Sequence, residues 1–165
     1  MAKTALKSNE VNTIGDLPEV GIVAPDFLLV GVDLREVSLA NYDGQKVILN
    51  IYPSIDTGIC ALSTVRFNKE AANLENTKIV CVSKDLPFAF ERYCAAEGIE
   101  NLDTLSAFRD EDFGKDYGVD MVDGPLKGLT ARAIVIIDEE GKVVYTELVP
   151  EITTEPNYEK ALAAL

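Results

Sequence analysis

The segment KVILNIYP, residues 46–53, decides the fold. Residues 47–52 form an almost continuous apolar run that ends at a proline, which is the pattern of a strand buried on both faces of a central sheet. After the proline the period changes, because positions 60, 64, 67, 71 and 74 fall on one helical stripe. We therefore predict a helix over residues 57–73, and a strand followed by a helix indicates an α/β protein.

Similar signals extend outward from this unit in both directions. Further strands are predicted at residues 26–30, 37–39, 78–83, 104–106, 131–138 and 143–149. Further helices are predicted at residues 86–98, 110–117 and 158–165. Strand–helix–strand units with right-handed crossovers give a mixed central sheet flanked by helices on both faces.

This order of elements is thioredoxin-like, although periodicity alone does not separate it from other three-layer folds. Residues 1–16 alternate weakly, and we expect a short β-hairpin extension there. The chain contains no linker or internal repeat, so the prediction is an α/β protein with one domain over residues 1–165.

The composition excludes several classes of protein. Asp and Glu number 28 against 15 Lys and Arg, a formal net charge of −13, so nucleic acids and anionic membranes are poor partners. No apolar stretch of about 18 residues and no secretory signal is present. Three cysteines without a C-x-x-C pair favour a cytoplasmic protein with one or two reactive thiols, and no metal or cofactor is expected. The absence of histidine removes every mechanism that needs one.

Cys60 is the candidate nucleophile, because it falls in the first turn of a helix that follows a central strand. Asp56 or Thr57 would cap that helix, and its free N–H groups favour a thiolate. A helix end supplies about 0.3–1 kcal/mol, or about 2 kcal/mol when partly buried. An ordinary thiol needs about 3.4 kcal/mol to be mostly thiolate at pH 7. The difference requires a cation, and Arg132, before an apolar run, is the best candidate.

Each polar candidate also has an ordinary structural interpretation. Thr57 is by default a helix N-cap, and Pro53 is by default a strand terminator. Arg132 is equally well explained by a structural salt bridge. The sequence pattern alone leaves these alternatives open.

The three cysteines have ordinary interpretations too. A cysteine on an apolar stripe is more often a small core residue than a nucleophile, and this applies to Cys60 and Cys94. It applies more strongly to Cys81, which lies between two valines of a predicted buried strand. We therefore expect Cys81 to be inert.

Several motifs resemble those of a known family. Pro53-x-x-x-Thr57-x-x-Cys60 is similar to the peroxiredoxin active-site signature, and the longer run 50–60 resembles the atypical two-cysteine, bacterial thiol peroxidase branch. The same resemblance is carried by DLPFA (85–89), RYC (92–94), DGPLKGLTAR (123–132) and EITTEP (151–156). It covers essentially the whole chain, with order and spacing kept.

The resemblance implies a thioredoxin-like fold and a peroxidase that reduces hydrogen peroxide and organic hydroperoxides. Cys60 would be the peroxidatic cysteine, Thr57 and Arg132 would hydrogen-bond its sulfur and the peroxide, and Pro53 would shield the thiolate. Cys94 would be the resolving cysteine, forming an intrachain disulfide with Cys60 that thioredoxin reduces. Because a disulfide needs Cα atoms within about 7 Å, we expect local unwinding of at least one helix first.

The resemblance also implies a homodimer and leaves Cys81 outside turnover. Two rival hypotheses use the same residues. One is a thiol-disulfide oxidoreductase that employs Cys60 and Cys94 without peroxide, and the missing C-x-x-C pair argues against it. The other is a non-enzymatic redox-sensing module on the same scaffold, which catalytic clearance of excess peroxide would exclude.

Overall fold

Two sheets and four α-helices form the computed structural model, which describes residues 1–165. The smaller sheet pairs β1 (Lys3–Leu6) with β2 (Asn9–Asn12). The larger sheet contains β3 (Leu28–Val30), β4 (Glu36–Ser38), β5 (Lys46–Ile51), β6 (Thr77–Ser83), β7 (Asp103–Ser106), β8 (Ala133–Ile137) and β9 (Val143–Leu148). The helices are α1 (Gly58–Ala71), α2 (Pro87–Glu97), α3 (Phe113–Asp116) and α4 (Tyr158–Ala163).

The seven strands are arranged in the order β4-β3-β7-β6-β5-β8-β9. Strands β5, β6 and β7 run parallel to one another, and the remaining pairings are antiparallel. This confirms the predicted mixed sheet with β5 near its centre. None of the helices is long and apolar enough to cross a membrane.

Alternate residues of β5 pack on opposite faces of the sheet, as the pleat requires. Leu49 belongs to the apolar cluster that contains Phe113 of α3. Ile48 belongs to the cluster that contains Phe67 of α1 and Phe90 of α2. Helices therefore cover both faces, as predicted, and the continuous apolar run in the sequence is explained by burial on both sides.

The predicted N-terminal hairpin is also confirmed. Lys7 and Ser8 form its turn with φ angles of 49° and 69°, which matches the left-handed two-residue turns of β-hairpins. The hairpin does not extend the large sheet; Ala5 instead bridges to Glu151 in the segment after β9. The Thr4 hydroxyl donates to the Val149 carbonyl at 2.8 Å in the same region.

Several predicted elements, α3 and β8 among them, are shorter than the sequence pattern indicates. Helix α3 begins at Phe113 rather than near residue 110, because the Asp110 carboxylate accepts from the N–H groups of Asp112 and Phe113 and forms a turn instead. Strand β8 begins two residues after position 131, since the Ala131 N–H donates to the carbonyl of Val119.

Candidate active site

Cys60 follows the loop that connects β5 to α1. Tyr52 and Pro53 continue from the strand and are buried, and α1 begins at Gly58. Cys60 is therefore in the first turn of the helix, with no exposed surface. The backbone N–H groups of a first turn lack intrahelical partners, so this position favours an anion at the sulfur.

Arg132 brings a positive charge to that sulfur. Its side chain is 1% exposed, and its Nη2 donates to Cys60 Sγ at 3.3 Å. Its Nε donates to the carbonyl of Ile152 at 2.8 Å, and its buried Nη1 has no partner. No acidic side chain pairs with it, so the alternative of a structural salt bridge is wrong. A buried guanidinium without a counter-charge favours the thiolate form of a neighbouring cysteine.

Thr57 occupies the N-cap position of α1, but its side chain does not cap the helix. Its hydroxyl donates to the Ser54 carbonyl at 3.0 Å, which leaves its oxygen lone pairs free to accept. The alternative cap, Asp56, forms a surface pair with Arg92 at 3.0 Å instead. The predicted capping role of these two side chains is therefore wrong, and the Thr57 hydroxyl bonds the Ser54 carbonyl rather than Cys60 Sγ.

A depression of about 540 Å³ opens above Arg132 and Thr57. Gly58, Ile59, Leu62, Ile152 and Thr153 complete its lining. Thr57 and Arg132 line the depression, and Cys60 lies buried against Arg132 without lining it. Pro53 is buried between β5 and α1 and does not line the depression.

Cys94 is not brought to the same place. It is half-buried on α2 and lines a different cavity of about 500 Å³ with Glu91, Gly98 and Thr104. Burial raises the pKa of the Cys94 thiol, and a hydrogen bond with Thr104 opposes that shift. All three cysteines are free thiols. Helix α2 reaches α1 through the Tyr93 hydroxyl, which donates to the carbonyl of Ala61 at 3.3 Å.

A buried polar network lies beneath Cys60. The hydroxyls of Ser63 and Thr64 donate to the Cys60 carbonyl at 2.9 and 3.0 Å. Asn50 donates to Ser63 at 3.2 Å and to Cys81 Sγ at 3.6 Å, while its own Oδ1 has no partner. Burial raises the pKa of the Cys81 thiol to about 12, so this sulfur stays protonated at neutral pH. Sequence reasoning missed the network, and its signal was the single asparagine inside an apolar strand.

Asp85 is a second feature that sequence reasoning missed. Its carboxylate accepts from the Ser54 hydroxyl at 2.8 Å and from the Ile55 N–H at 2.7 Å. The Ser83 hydroxyl donates to it as well. Asp85 lies two residues before α2 begins, so it joins the loop that precedes Cys60 to the helix that carries Cys94. The DLPFA motif contains this residue, but nothing in the sequence identified its partners.

Comparisons with a family model, with curated proteins and with solved structures all find relatives of one kind. The Redoxin family model matches residues 19–162. A thiol peroxidase of Corynebacterium glutamicum is 55% identical over 165 residues, which covers 100% of this chain and 99% of that protein. A thiol peroxidase of Mycobacterium tuberculosis is 56% identical with the same coverage. The crystal structure of a peroxiredoxin-like protein from Aquifex aeolicus superposes with a TM-score of 0.93 at 41% identity, covering 99% of this chain and 95% of that one.

Proposed function

The chain belongs to the Redoxin family, and from that premise we propose that it is a thiol-dependent peroxidase whose nucleophile is Cys60. One observation carries the proposal. The buried Arg132 guanidinium has no acidic partner and places Nη2 3.3 Å from Cys60 Sγ. A buried charge is costly unless it serves a partner, and the available partner here is a thiolate. Thiol peroxidase relatives at 55% and 56% identity over the whole chain support the same activity.

The first step is attack of the Cys60 thiolate on one oxygen of a peroxide. An S–O bond forms and the O–O bond breaks, and the departing oxygen takes the electron pair and a proton from solvent to leave as water or an alcohol. The partnerless Nη1 of Arg132 is available to donate to that developing negative charge. The Thr57 oxygen accepts from the peroxide O–H. The product on the enzyme is a Cys60 sulfenic acid.

The second step forms a disulfide. The sulfur of Cys94 attacks the sulfur of the sulfenic acid, an S–S bond forms, and hydroxide leaves and is protonated to water. Because Cys94 lines a separate cavity from the one beside Arg132, the first turn of α1 or the last turn of α2 has to open before the sulfurs meet. An external dithiol protein, which we propose is a thioredoxin, then reduces the disulfide by thiol–disulfide exchange.

The proposal is tested by intact-mass analysis after one equivalent of hydrogen peroxide. We expect the loss of two hydrogens, mapped to a Cys60–Cys94 disulfide. Cys60→Ser should abolish peroxide consumption, and retained consumption would end the proposal. Cys94→Ser should accumulate Cys60 sulfenic acid and stop recycling by thioredoxin. Continued recycling in that variant would show that the resolving role belongs to another thiol.

The mass measurement tests one rival hypothesis, and an assay of catalytic clearance of excess peroxide tests the other. A thiol-disulfide oxidoreductase would leave Cys60 unoxidised by peroxide, and a redox sensor would react once without clearing excess peroxide in the presence of thioredoxin. The homodimer, the cytoplasmic location and the single domain over residues 1–165 stay predictions.

A further inference from the structure

We propose that Glu151 is a positioning residue for Arg132 and that the N-terminal hairpin, strands β1 and β2 with their turn, is the support to which it binds. The proposal rests on the proposed function, since it concerns how the peroxide-facing guanidinium is held. The hairpin spans residues 3–12 and lies outside residues 19–162, the part of the chain matched to the Redoxin family.

The Glu151 carboxylate binds the turn of the hairpin. One oxygen accepts from the Lys7 N–H at 2.8 Å, and the other accepts from the Ser8 N–H at 3.0 Å. The Thr153 hydroxyl donates to the first oxygen at 2.9 Å. These bonds, led by that from Ser8, lower the pKa of Glu151 to about 2. A depressed pKa means that the contact is complete above the ordinary value of about 4.5 and is lost as pH falls toward 2, so it is intact at neutral pH.

The next residue connects the hairpin to the site. The Ile152 N–H donates to the carbonyl of Ala5 in β1 at 2.8 Å. The Ile152 carbonyl accepts from Arg132 Nε at 2.8 Å. One residue, Ile152, is therefore held by the hairpin through its N–H and holds the guanidinium through its C=O. Arg132 in turn donates to Cys60 Sγ, so hydrogen bonds and two consecutive backbone residues, Glu151 and Ile152, connect the hairpin turn to the nucleophile.

This arrangement predicts that loss of the Glu151 contact changes the orientation of the Arg132 guanidinium but leaves its positive charge in place. Without the Glu151 contact the segment around Ile152 is free to shift, and the Nε bond no longer fixes the plane of the guanidinium. The positive charge stays near Cys60, so the thiolate fraction changes little. The N–H donors of the guanidinium are then no longer directed at the peroxide. A misplacement of about 1 Å can lower a reaction rate about 100-fold.

The test compares Glu151→Ala and Glu151→Gln with Glu10→Ala, which breaks an exposed ion pair with Lys3 in the same hairpin. Single-turnover oxidation of Cys60 by hydrogen peroxide is followed by quenched mass spectrometry. In a separate assay without peroxide, the rate at which iodoacetamide alkylates Cys60 at pH 7 reports the reactivity of its thiolate. We expect Glu151→Ala to slow oxidation about tenfold to 100-fold while alkylation stays within about twofold. Glu151→Gln, which keeps one acceptor oxygen, should fall between it and the parent. Glu10→Ala should match the parent in both assays.

Hydrogen exchange of the Ile152 amide gives a readout that does not depend on catalysis. Its protection should fall in Glu151→Ala and stay unchanged in Glu10→Ala. If Glu151→Ala oxidises at the parent rate, or if oxidation and alkylation fall together, the positioning role is wrong. If the parent protein itself is not oxidised at Cys60, the proposed function fails instead, so the two failures are distinguishable.

Discussion

Replacing Arg132 by methionine should slow the reaction of Cys60 with a thiolate-selective reagent at pH 7, because it removes the positive charge that is hydrogen-bonded to its sulfur. Methionine keeps an unbranched apolar stem in a site that is 1% exposed, and it removes both Nη2, which lies 3.3 Å from Sγ, and the partnerless Nη1. A hydrogen bond to a charged group contributes about 1.5–3 kcal/mol. Since about 1.4 kcal/mol corresponds to a factor of ten, this is about a tenfold to 100-fold loss in the stabilisation of negative charge on the sulfur.

The assay is the pH dependence of alkylation by iodoacetamide, a neutral reagent that reacts with thiolates. The parent for this comparison carries Cys81→Ser and Cys94→Ser, so the only thiol is Cys60. The matched control is Arg92→Met, which removes the same charge from an exposed pair with Asp56. We expect the midpoint of the profile to move to higher pH in Arg132→Met and to stay in place in the control. Superimposable profiles for Arg132→Met and the parent would refute the electrostatic role.

Three further predictions concern neighbouring groups. Cys81→Ser should leave the steady-state peroxidase rate within about twofold, because a thiol whose pKa is about 12 does not ionise at neutral pH; a large loss would give Cys81 a part in turnover. Thr57→Val should slow peroxide oxidation of Cys60 about tenfold or more by removing an acceptor, without changing the alkylation of Cys60. Thr57→Ser should restore the oxidation rate. Equal oxidation rates in the parent and both variants would show that Thr57 takes no part in the site. Asp85→Ala should slow oxidation of Cys60 but speed its disulfide formation with Cys94, both followed by quenched mass spectrometry. If both rates rose or both fell, the proposed link between the loop that precedes Cys60 and helix α2 would be wrong.

Much of the sheet could be predicted because its central strands carry their own signal. The apolar run predicts strand β5 over residues 47–52, and the strand runs from Lys46 to Ile51, since burial on both faces demands an apolar run. The extent of α3 could not be predicted, because it depends on one carboxylate, that of Asp110, accepting from two nearby N–H groups. Periodicity describes which face of an element is buried, but it does not describe local side-chain acceptors.

The candidate site divides in the same way. Cys60 and Arg132 could be singled out because a thiolate without histidine needs a cation, and a charge before a buried strand is unusual. Asp85 and Glu151 could not, because they are two among 28 acidic residues and their partners lie far away in sequence. Their significance depends on which backbone N–H groups the fold brings to them, and no spacing along the chain encodes that.

The polar lining under α1 gives the redox cycle a dependence on hydration. If the first turn of α1 unwinds, the hydroxyls of Ser63 and Thr64 lose the Cys60 carbonyl, and Asn50 Oδ1 already lacks a partner. An apolar hole would stay dry and cost about 24 cal/mol per Å³, whereas a polar one holds water that bonds two to four groups. We therefore expect water uptake to accompany opening, so that sucrose, which is excluded from protein surfaces, slows disulfide formation more than peroxide attack. Equal slowing of both steps would contradict this. Water would then bind to the enzyme during the resolving step, entering when Cys60 leaves its pocket and departing when the reduced enzyme closes.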